Sequence, residues 1–268
     1  MKKIFLTLLA AAAVFAVSAQ IKAPQIIANG GYHKSPASGA KNTMSALKAA
    51  QKIKIYGSEC DVNLTKDNEL VVLNHGMHPS NKAKVKADPQ RSTLEKLLSI
   101  PYANGESVCT LDEFLARAAK KPATKLILEL KGQDSIEREN TLIEKTLAAV
   151  EKAGMQNNVE YISFRPWICF ELAKKAPQGT KIAYLDGKCT PEYAKGMGCT
   201  GIDYNVGLYR KKTNWIKQAH NLGLTVNVWT VNKEVDIRWC IANGVDFITT
   251  DEPALVKQIV KEMCGKQK

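Results

Sequence analysis

The chain has 268 residues, of which 45% are hydrophobic, and its formal net charge is +12. This length allows one large core and is close to the roughly 250 residues of a single α/β barrel. The positive charge favours small anionic partners such as phosphate esters, or serves solubility alone, whereas lysines spread without interleaved aromatic residues argue against a nucleic-acid surface.

The first segment is typical of a cleaved secretory signal peptide. Lys2 and Lys3 precede an apolar run from residue 4 to residue 17, and small residues follow at positions 18 and 19. The apolar run is shorter than the roughly 20 residues that a spanning helix needs. We therefore expect residues 1–19 to be removed and the mature protein to be periplasmic or secreted, with no integral membrane segment. No pattern indicates its oligomeric state.

Short β-branched runs then alternate with amphipathic stretches, which is typical of parallel strands joined by crossover helices. Eight strands are predicted, at Gln25–Ala28, Ile55–Val62, Lys125–Leu130, Val159–Phe164, Lys181–Leu185, Gly201–Asn205, Thr225–Val231 and Phe247–Thr250. Helical patterns between them include Met44–Lys52, Ser135–Ala153, Trp167–Lys175, Asn214–Asn221, Lys233–Ala242 and Pro253–Met263. Eight such units predict a (β/α)8 TIM barrel over residues 20–268. A doubly wound open sheet is the alternative.

One further apolar run, at residues 70–73, lies too close to the second strand for a parallel crossover, which needs a dozen residues or more. We expect it to return antiparallel as the second leg of a hairpin, around a tight turn at Asp67 and Asn68. Depending on loop length, either Asn74 or His75 would then lie opposite Asp61. The polar sequence that follows predicts an insertion over the barrel mouth, at about residues 65–110.

Acidic residues stand where two predicted strands end, which is the end of a TIM barrel that carries active sites. Glu59 and Asp61 share one face of the second strand because residues at i and i+2 point the same way, and Glu129 follows an apolar run on the third strand. Three converging carboxylates predict a divalent cation, and an all-oxygen ligand set suits Mg²⁺ or Ca²⁺ better than zinc. The alternative is an internal ion pair with Lys131 or another lysine.

His75 is the candidate for proton transfer, since a histidine beside a bound phosphate can donate or accept a proton near neutral pH. The seven cysteines include no metal-binding pattern. We expect at most one disulfide, with Cys189 and Cys199 as the candidate pair, and we expect Cys60, Cys169 and Cys240 to be buried thiols.

Five stretches together resemble the glycerophosphodiester phosphodiesterase family, and the likeness covers nearly all of the chain after residue 19. They are Gly57–Val62 with Leu64–Asp67, Leu70–His75, Leu126–Lys131, Val226–Asn232 and Gly244–Pro253. The resemblance implies a barrel with a small insertion after its second strand, and a metal-dependent phosphoric diester hydrolase acting on glycerophosphodiesters in lipid metabolism. It implies metal binding at Glu59, Asp61 and Glu129, a basic residue near the phosphate at Lys131, and an aromatic pocket wall at Trp229.

The chain departs from the family's signatures at three places. The His-Arg-Gly signature after the first strand is replaced by Asn29–Gly31, so a catalytic histidine and a phosphate-binding arginine are missing. Glu-Asn-Thr appears as Lys41–Thr43, and His-Asp after the hairpin appears as Asn74–His75–Gly76. Asn29 and Asn74 are therefore expected as polar substrate-binding residues, and His33 is a candidate replacement for the missing histidine.

Three functions follow from these residues. The first is a metal-dependent hydrolase of small phosphodiesters in which His75 transfers the proton. The second is a catalytically impaired barrel that binds phosphorylated or anionic ligands without turnover, which the missing signature favours. The third is a glycoside hydrolase that uses Glu59 and Glu129 as its carboxylate pair.

Overall fold

The computed structural model describes residues 22–74, 87–102 and 104–265. Eight parallel strands close into a barrel, because the first strand pairs with both the second and the last. This confirms the predicted TIM barrel. In chain order the barrel strands are β1 (Gln25–Ala28), β2 (Gly57–Leu64), β5 (Lys125–Leu130), β6 (Val159–Ser163), β7 (Ile182–Tyr184), β8 (Gly201–Asn205), β9 (Thr225–Trp229) and β10 (Phe247–Thr250).

Two short strands extend the sheet beyond β2, outside the barrel. Strand β3 (Leu70–Val72) pairs antiparallel with β2, and β4 (Cys109–Thr110) pairs antiparallel with β3. The predicted hairpin is therefore confirmed. Its second leg packs in a separate small core that includes Val71, Leu73 and Leu97.

The predicted hairpin register is wrong. Val62 pairs with Val72, and the Leu73 N–H donates to the Asp61 carbonyl over 2.9 Å, so Leu73 lies opposite Asp61. The reason is the turn: the Thr65 N–H donates to the Glu69 carbonyl, so the loop is residues 66–68 and begins one residue earlier than predicted. Asn68 adopts the left-handed conformation (φ 62°) that such a turn requires.

The described part of the chain contains ten α-helices. They are α1 (Met44–Lys52), α2 (Leu94–Leu98), α3 (Leu111–Ala119), α4 (Ile136–Lys152), α5 (Pro166–Lys175), α6 (Pro191–Gly196), α7 (Val206–Lys211), α8 (Asn214–Asn221), α9 (Glu234–Ala242) and α10 (Pro253–Cys264), with 3₁₀ turns at Pro89–Arg91 and Gln156–Asn158. Helix α1 lies next to the site. Its N-cap is Thr43, whose side chain accepts a hydrogen bond from the Ala46 N–H. None of the described helices is long and apolar enough to cross a bilayer.

The interior of the barrel is closed at the N-terminal end of the strands. Ile27, Ile127 and Ile162 form part of an apolar layer across the middle. Below it, the Tyr56 hydroxyl donates to Glu160 and accepts from Lys181. Because side chains fill this end among the described residues, the C-terminal mouth is the end of the barrel with room for a ligand, as in other barrels of this kind.

The seven cysteines are all free, so the candidate pair Cys189 and Cys199 does not form a disulfide. The two thiols face different neighbours: Cys189 Sγ lies 3.7 Å from the Tyr184 hydroxyl, whereas Cys199 contacts Cys169. The expected burial of Cys60, Cys169 and Cys240 is confirmed.

Candidate active site

A cavity of about 270 Å³ lies at the C-terminal mouth of the barrel. It is lined by residues of all eight barrel strands or residues that directly follow them, together with two loop residues, Lys41 and Asn74. The lining residues are Asn29, Lys41, Glu59, Asp61, Asn74, Glu129, Lys131, Ile162, Phe164, Leu185, Asp203, Trp229, Thr230 and Thr249. The seven predicted site residues that fall in the described part of the chain all line this cavity: Asn29, Glu59, Asp61, Asn74, Glu129, Lys131 and Trp229.

Glu59, Asp61 and Glu129 converge as the strand positions predict. Strands β2 and β5 are neighbours in a register that places Asp61 beside Glu129, and Glu59 is two residues before Asp61 on the same face. One carboxylate oxygen from each lies within 4.8 Å of the others, and all three residues are buried. This is a cluster of like charges in a place that water hardly reaches.

The electrostatic consequence appears in the ionisation of these groups. Burial, followed by the charges of Asp61 and Glu129, raises the pKa of Glu59 well above its usual value. Burial and the charge of Asp61 raise the pKa of Glu129 to about 7, although Lys131 acts in the opposite direction. Buried carboxylates with too little positive charge nearby respond in this way.

Lys131 forms the ion pair that was the alternative to a cation. Its ammonium contacts Glu129 and lies 3.2 Å from Asp61 Oδ1. Burial lowers the pKa of Lys131, but the charges of Glu129 and Asp61 outweigh it and leave that pKa above its ordinary value. Three carboxylates and one ammonium carry a formal charge of −2. The lysine therefore neutralises only part of the cluster.

The loop between β1 and α1 holds two of the acids in place. The Gly30 N–H donates to Glu59 Oε2 over 2.6 Å. The Asn42 side chain donates to Asp61 Oδ2 over 2.7 Å and accepts the Asp61 N–H over 2.9 Å. Asn42 is buried and adopts a left-handed conformation (φ 61°), so its amide fits against Asp61. These bonds use one carboxylate oxygen of each acid, Glu59 Oε2 and Asp61 Oδ2, so the second oxygen of each acid remains for other partners.

Sequence reasoning missed a fourth acid, Asp203 on β8. It is fully buried, it accepts a hydrogen bond from Asn227 Nδ2 over 2.9 Å, and its Oδ1 has no hydrogen-bond partner. Burial, then the charge of Glu129, raises its pKa well above the usual value. The sequence did contain a signal for it: Asp203 is an acidic residue within the otherwise uncharged run Gly201–Tyr204, just as Glu129 follows an apolar run on β5.

A second group of polar residues lies around Asp251, which follows β10, the other neighbour of β1. Asp251 Oδ1 accepts from Asn29 Nδ2 over 3.0 Å and lies 2.8 Å from Lys41 Nζ, while Oδ2 accepts from Asn232 Nδ2 over 2.8 Å. The candidate His33 lies behind this group, with Nε2 3.9 Å from Asp251 Oδ1. His33 is not one of the described residues that line the cavity.

Trp229 and Phe164 form an aromatic wall. Their rings meet edge to face at 5.4 Å, and the indole N–H of Trp229 donates to the Asp203 carbonyl over 2.9 Å. Asn74 lines the cavity despite the shifted hairpin register. His75, the predicted catalytic residue, lies outside the described residues.

The comparisons with known proteins point to the family that the sequence resembles. Residues 29–255 match the model of the glycerophosphoryl diester phosphodiesterase family. A Bacillus subtilis protein with the provisional name of glycerophosphodiester phosphodiesterase is 30% identical over 81% of this chain and 90% of its own length. The crystal structure of a glycerophosphodiester phosphodiesterase from Parabacteroides distasonis superposes with a TM-score of 0.83 at 35% identity, over 90% of this chain and 98% of that one.

A third similarity concerns the fold alone. A phosphodiesterase from Oleispira antarctica, solved with its product sn-glycerol-3-phosphate, superposes with a TM-score of 0.77 at 18% identity, over 89% of this chain and 97% of that one. The family match over residues 29–255 confirms the resemblance seen in the sequence. That match favours a phosphodiesterase over the glycoside hydrolase that was the third alternative.

Proposed function

The chain belongs to the glycerophosphoryl diester phosphodiesterase family, and we propose that it hydrolyses small glycerophosphodiesters with the aid of a divalent cation. The observation that carries the proposal is the cluster of Glu59, Asp61 and Glu129, three buried carboxylates within 4.8 Å at the barrel mouth. Because Lys131 supplies a single positive charge, a formal charge of −2 remains for a divalent ion to balance.

The donor set fits a hard cation. Glu59, Asp61 and Glu129 would hold it through oxygen atoms alone, which is the ligand type that Mg²⁺ and Ca²⁺ prefer. When bound, such an ion supplies a Lewis acid that polarises the phosphoryl oxygen. The Gly30 N–H and the Asn42 amide fix Glu59 and Asp61 by hydrogen bonds. Hydrogen-bond partners of metal-binding residues orient them toward the ion.

The remaining cavity residues bind and orient the substrate. Lys131 neutralises negative charge beside the phosphate while it stays paired with Glu129. Asn29 and Asn74 offer amide groups to the diester oxygens. Trp229 and Phe164 provide a surface on which the glycerol moiety or its alcohol substituent packs.

His75 is the proposed proton-transfer residue. It directly follows Asn74, which lines the cavity, and a histidine beside a bound phosphate can transfer a proton near neutral pH. Removal of a general acid or base lowers rates by roughly 10²- to 10⁴-fold. His75→Ala should therefore lower kcat by that order. His78→Ala, three residues further along the same segment, is the matched control and should leave kcat unchanged.

Turnover of glycerophosphocholine by the purified protein with Mg²⁺ or Ca²⁺ tests the function. We expect release of sn-glycerol-3-phosphate, the product that the Oleispira antarctica phosphodiesterase carries in its structure. Asp61→Ala is the negative control. Wild-type turnover no higher than that of Asp61→Ala would contradict the proposed hydrolase.

The second candidate is a barrel that binds phosphorylated or anionic ligands without turnover. The position of Asn29 favours it: this residue replaces a catalytic histidine, and its amide is held by Asp251 and cannot relay a proton. Stabilisation by sn-glycerol-3-phosphate without product formation from any glycerophosphodiester would support this candidate.

We also propose that the protein is exported to the periplasm or beyond the cell. Support comes from the residue 1–19 pattern alone, which lies outside the described residues. Protein recovered from the periplasmic or culture fraction should begin at Gln20. Recovery of the intact N-terminus from the cytoplasm would contradict export.

A further inference from the structure

The two lysines that line the cavity form ion pairs with different acidic residues. The acidic lining residues are Glu59, Asp61, Glu129 and Asp203, and the basic ones are Lys41 and Lys131. Lys131 is held by Glu129 and Asp61, so its charge already serves the acidic cluster. Lys41 is paired with none of those acids. Its partner is Asp251, which follows β10 and does not line the cavity.

Lys41 is held in a defined position. Its Nζ lies 2.8 Å from Asp251 Oδ1, and Asp251 is itself fixed by hydrogen bonds from Asn29 and Asn232. Only about a quarter of the Lys41 side chain is exposed. An ammonium group has three N–H donors, and the ion pair with Asp251 uses one of them. The others are available to an anion in the cavity.

The stem of Lys41 occupies the space that a side chain at position 30 would need. A Cβ atom built on Gly30 would lie 2.6 Å from Lys41 Cβ and 2.8 Å from Lys41 Cγ, and Gly30 has a φ of +66° that disfavours any other residue. The sequence replaces a phosphate-binding arginine with Gly30 and a glutamate with Lys41. A positive charge is thus lost at one position and gained at another that fills the same volume.

We propose that Lys41 is a phosphate-binding residue of this chain, which takes over the role of the missing arginine and donates to a non-bridging oxygen of an anionic phosphodiester. The inference rests on the proposed function and names the residue that binds the anion. A lysine acts as a point charge, without the two parallel hydrogen bonds of a guanidinium. Lys41 therefore contributes charge more than orientation.

The test separates anion binding from turnover. Affinity for sn-glycerol-3-phosphate is measured by calorimetry in Mg²⁺ for the wild type, Lys41→Met, Lys41→Arg and Lys34→Met. A hydrogen bond from a charged donor corresponds to roughly 10- to 150-fold in affinity. We expect Lys41→Met to weaken binding by at least about tenfold, and Lys41→Arg to restore most of it because the charge is retained.

Lys34→Met is the matched control. Lys34 lies in the same loop and pairs with Glu252, the residue after Asp251, but it is not among the described residues that line the cavity. Its loss should leave affinity unchanged. Lys41→Met should also keep the full Mg²⁺-induced rise in unfolding temperature, since Lys41 contacts none of the three acids. That readout shows that the variant is folded with its ion site intact.

The outcomes distinguish the inference from the proposed function. Wild-type turnover with equal affinities for the wild type and Lys41→Met overturns the role of Lys41 and leaves the hydrolase standing. Binding that depends on Lys41 without any turnover supports the role of Lys41 and contradicts the hydrolase. Neither binding nor turnover by the wild type contradicts both.

Discussion

Replacement of Glu59 by glutamine tests the cation site most cleanly, because Glu59 does not contact Lys131. Its recorded hydrogen bond comes from the Gly30 N–H, and the glutamine oxygen can still accept that bond. The substitution therefore removes one charge and keeps the hydrogen bond. The buried group that remains has a formal charge of −1 in place of −2, and one anionic ligand for the ion is lost.

The size of the effect follows from binding linkage. An ion present at 100 times its Kd stabilises the folded protein by about 2.7 kcal/mol, which corresponds to roughly 5–10 °C for a domain of this size. Loss of even a residue that only orients a ligand costs roughly 10- to 100-fold in metal affinity. With 100-fold weaker binding, the same ion concentration stabilises Glu59→Gln by only about 0.4 kcal/mol, or on the order of 1 °C.

Differential scanning fluorimetry with and without Mg²⁺ or Ca²⁺ measures both shifts. The ion-free Glu59→Gln protein should be at least as stable as the ion-free wild type, because one of three like charges is removed from a buried cluster. Glu151→Gln on the exposed side of α4 is the control and should behave as the wild type does. An ion-induced shift in Glu59→Gln as large as in the wild type would refute the assignment of the site.

Three further predictions concern residues around this site and at the far end of the barrel. Gly30→Ala should lower stability by about 1–2 kcal/mol because of the positive φ, and should also weaken sn-glycerol-3-phosphate binding because its Cβ displaces Lys41. Equal affinities would contradict this. Trp229→Ala should raise the KM for glycerophosphocholine more than it lowers kcat, since the wall binds ground state and transition state alike; an effect on kcat alone would refute a binding role. At the closed end of the barrel, burial raises the pKa of Asp246, but hydrogen bonds from Lys22, the Val226 N–H and His220 outweigh it and leave that pKa below its ordinary value. Asp246 therefore stabilises the protein above its unfolded pKa of about 3.9, and this contribution is lost as pH falls through the lower folded value. Chemical denaturation should show Asp246→Asn less stable than the wild type at neutral pH, with a difference that shrinks below about pH 4; a constant difference would refute it.

The barrel could be predicted because local patterns carry it. Four of the eight barrel strands have the predicted bounds. Gly154, Gly223 and Gly244 follow helix ends with positive φ, which is the usual role of glycine at that position. The hairpin register could not be predicted in the same way. Two neighbouring turns, one at residues 66–68 and one at Asp67 and Asn68, differ by a single residue, and the sequence contains suitable turn residues for both.

The acidic cluster was predictable and the wall around Asp251 was not. Because alternate residues of a strand point to the same face, Glu59 and Asp61 lie on one face of β2. The neighbouring strand β5 places Glu129 beside Asp61. Lys41 and Asp251 come from segments far apart in the chain, and their meeting depends on how the loop after β1 folds over Gly30. Such loop conformations are set by tertiary contacts that periodic patterns do not report.

The two losses at the family signature have different consequences. Charge can be supplied from another position, because an ammonium needs only to reach the phosphate, and Lys41 occupies the volume beside Gly30. Proton transfer is harder to replace, since the Asn29 amide does not titrate near neutral pH and is held by Asp251. Anion binding should therefore survive better than the chemical step. For this chain we expect a KM in the range usual for enzymes. We expect kcat to be limited by the rate of proton transfer that His75 provides without a second catalytic histidine.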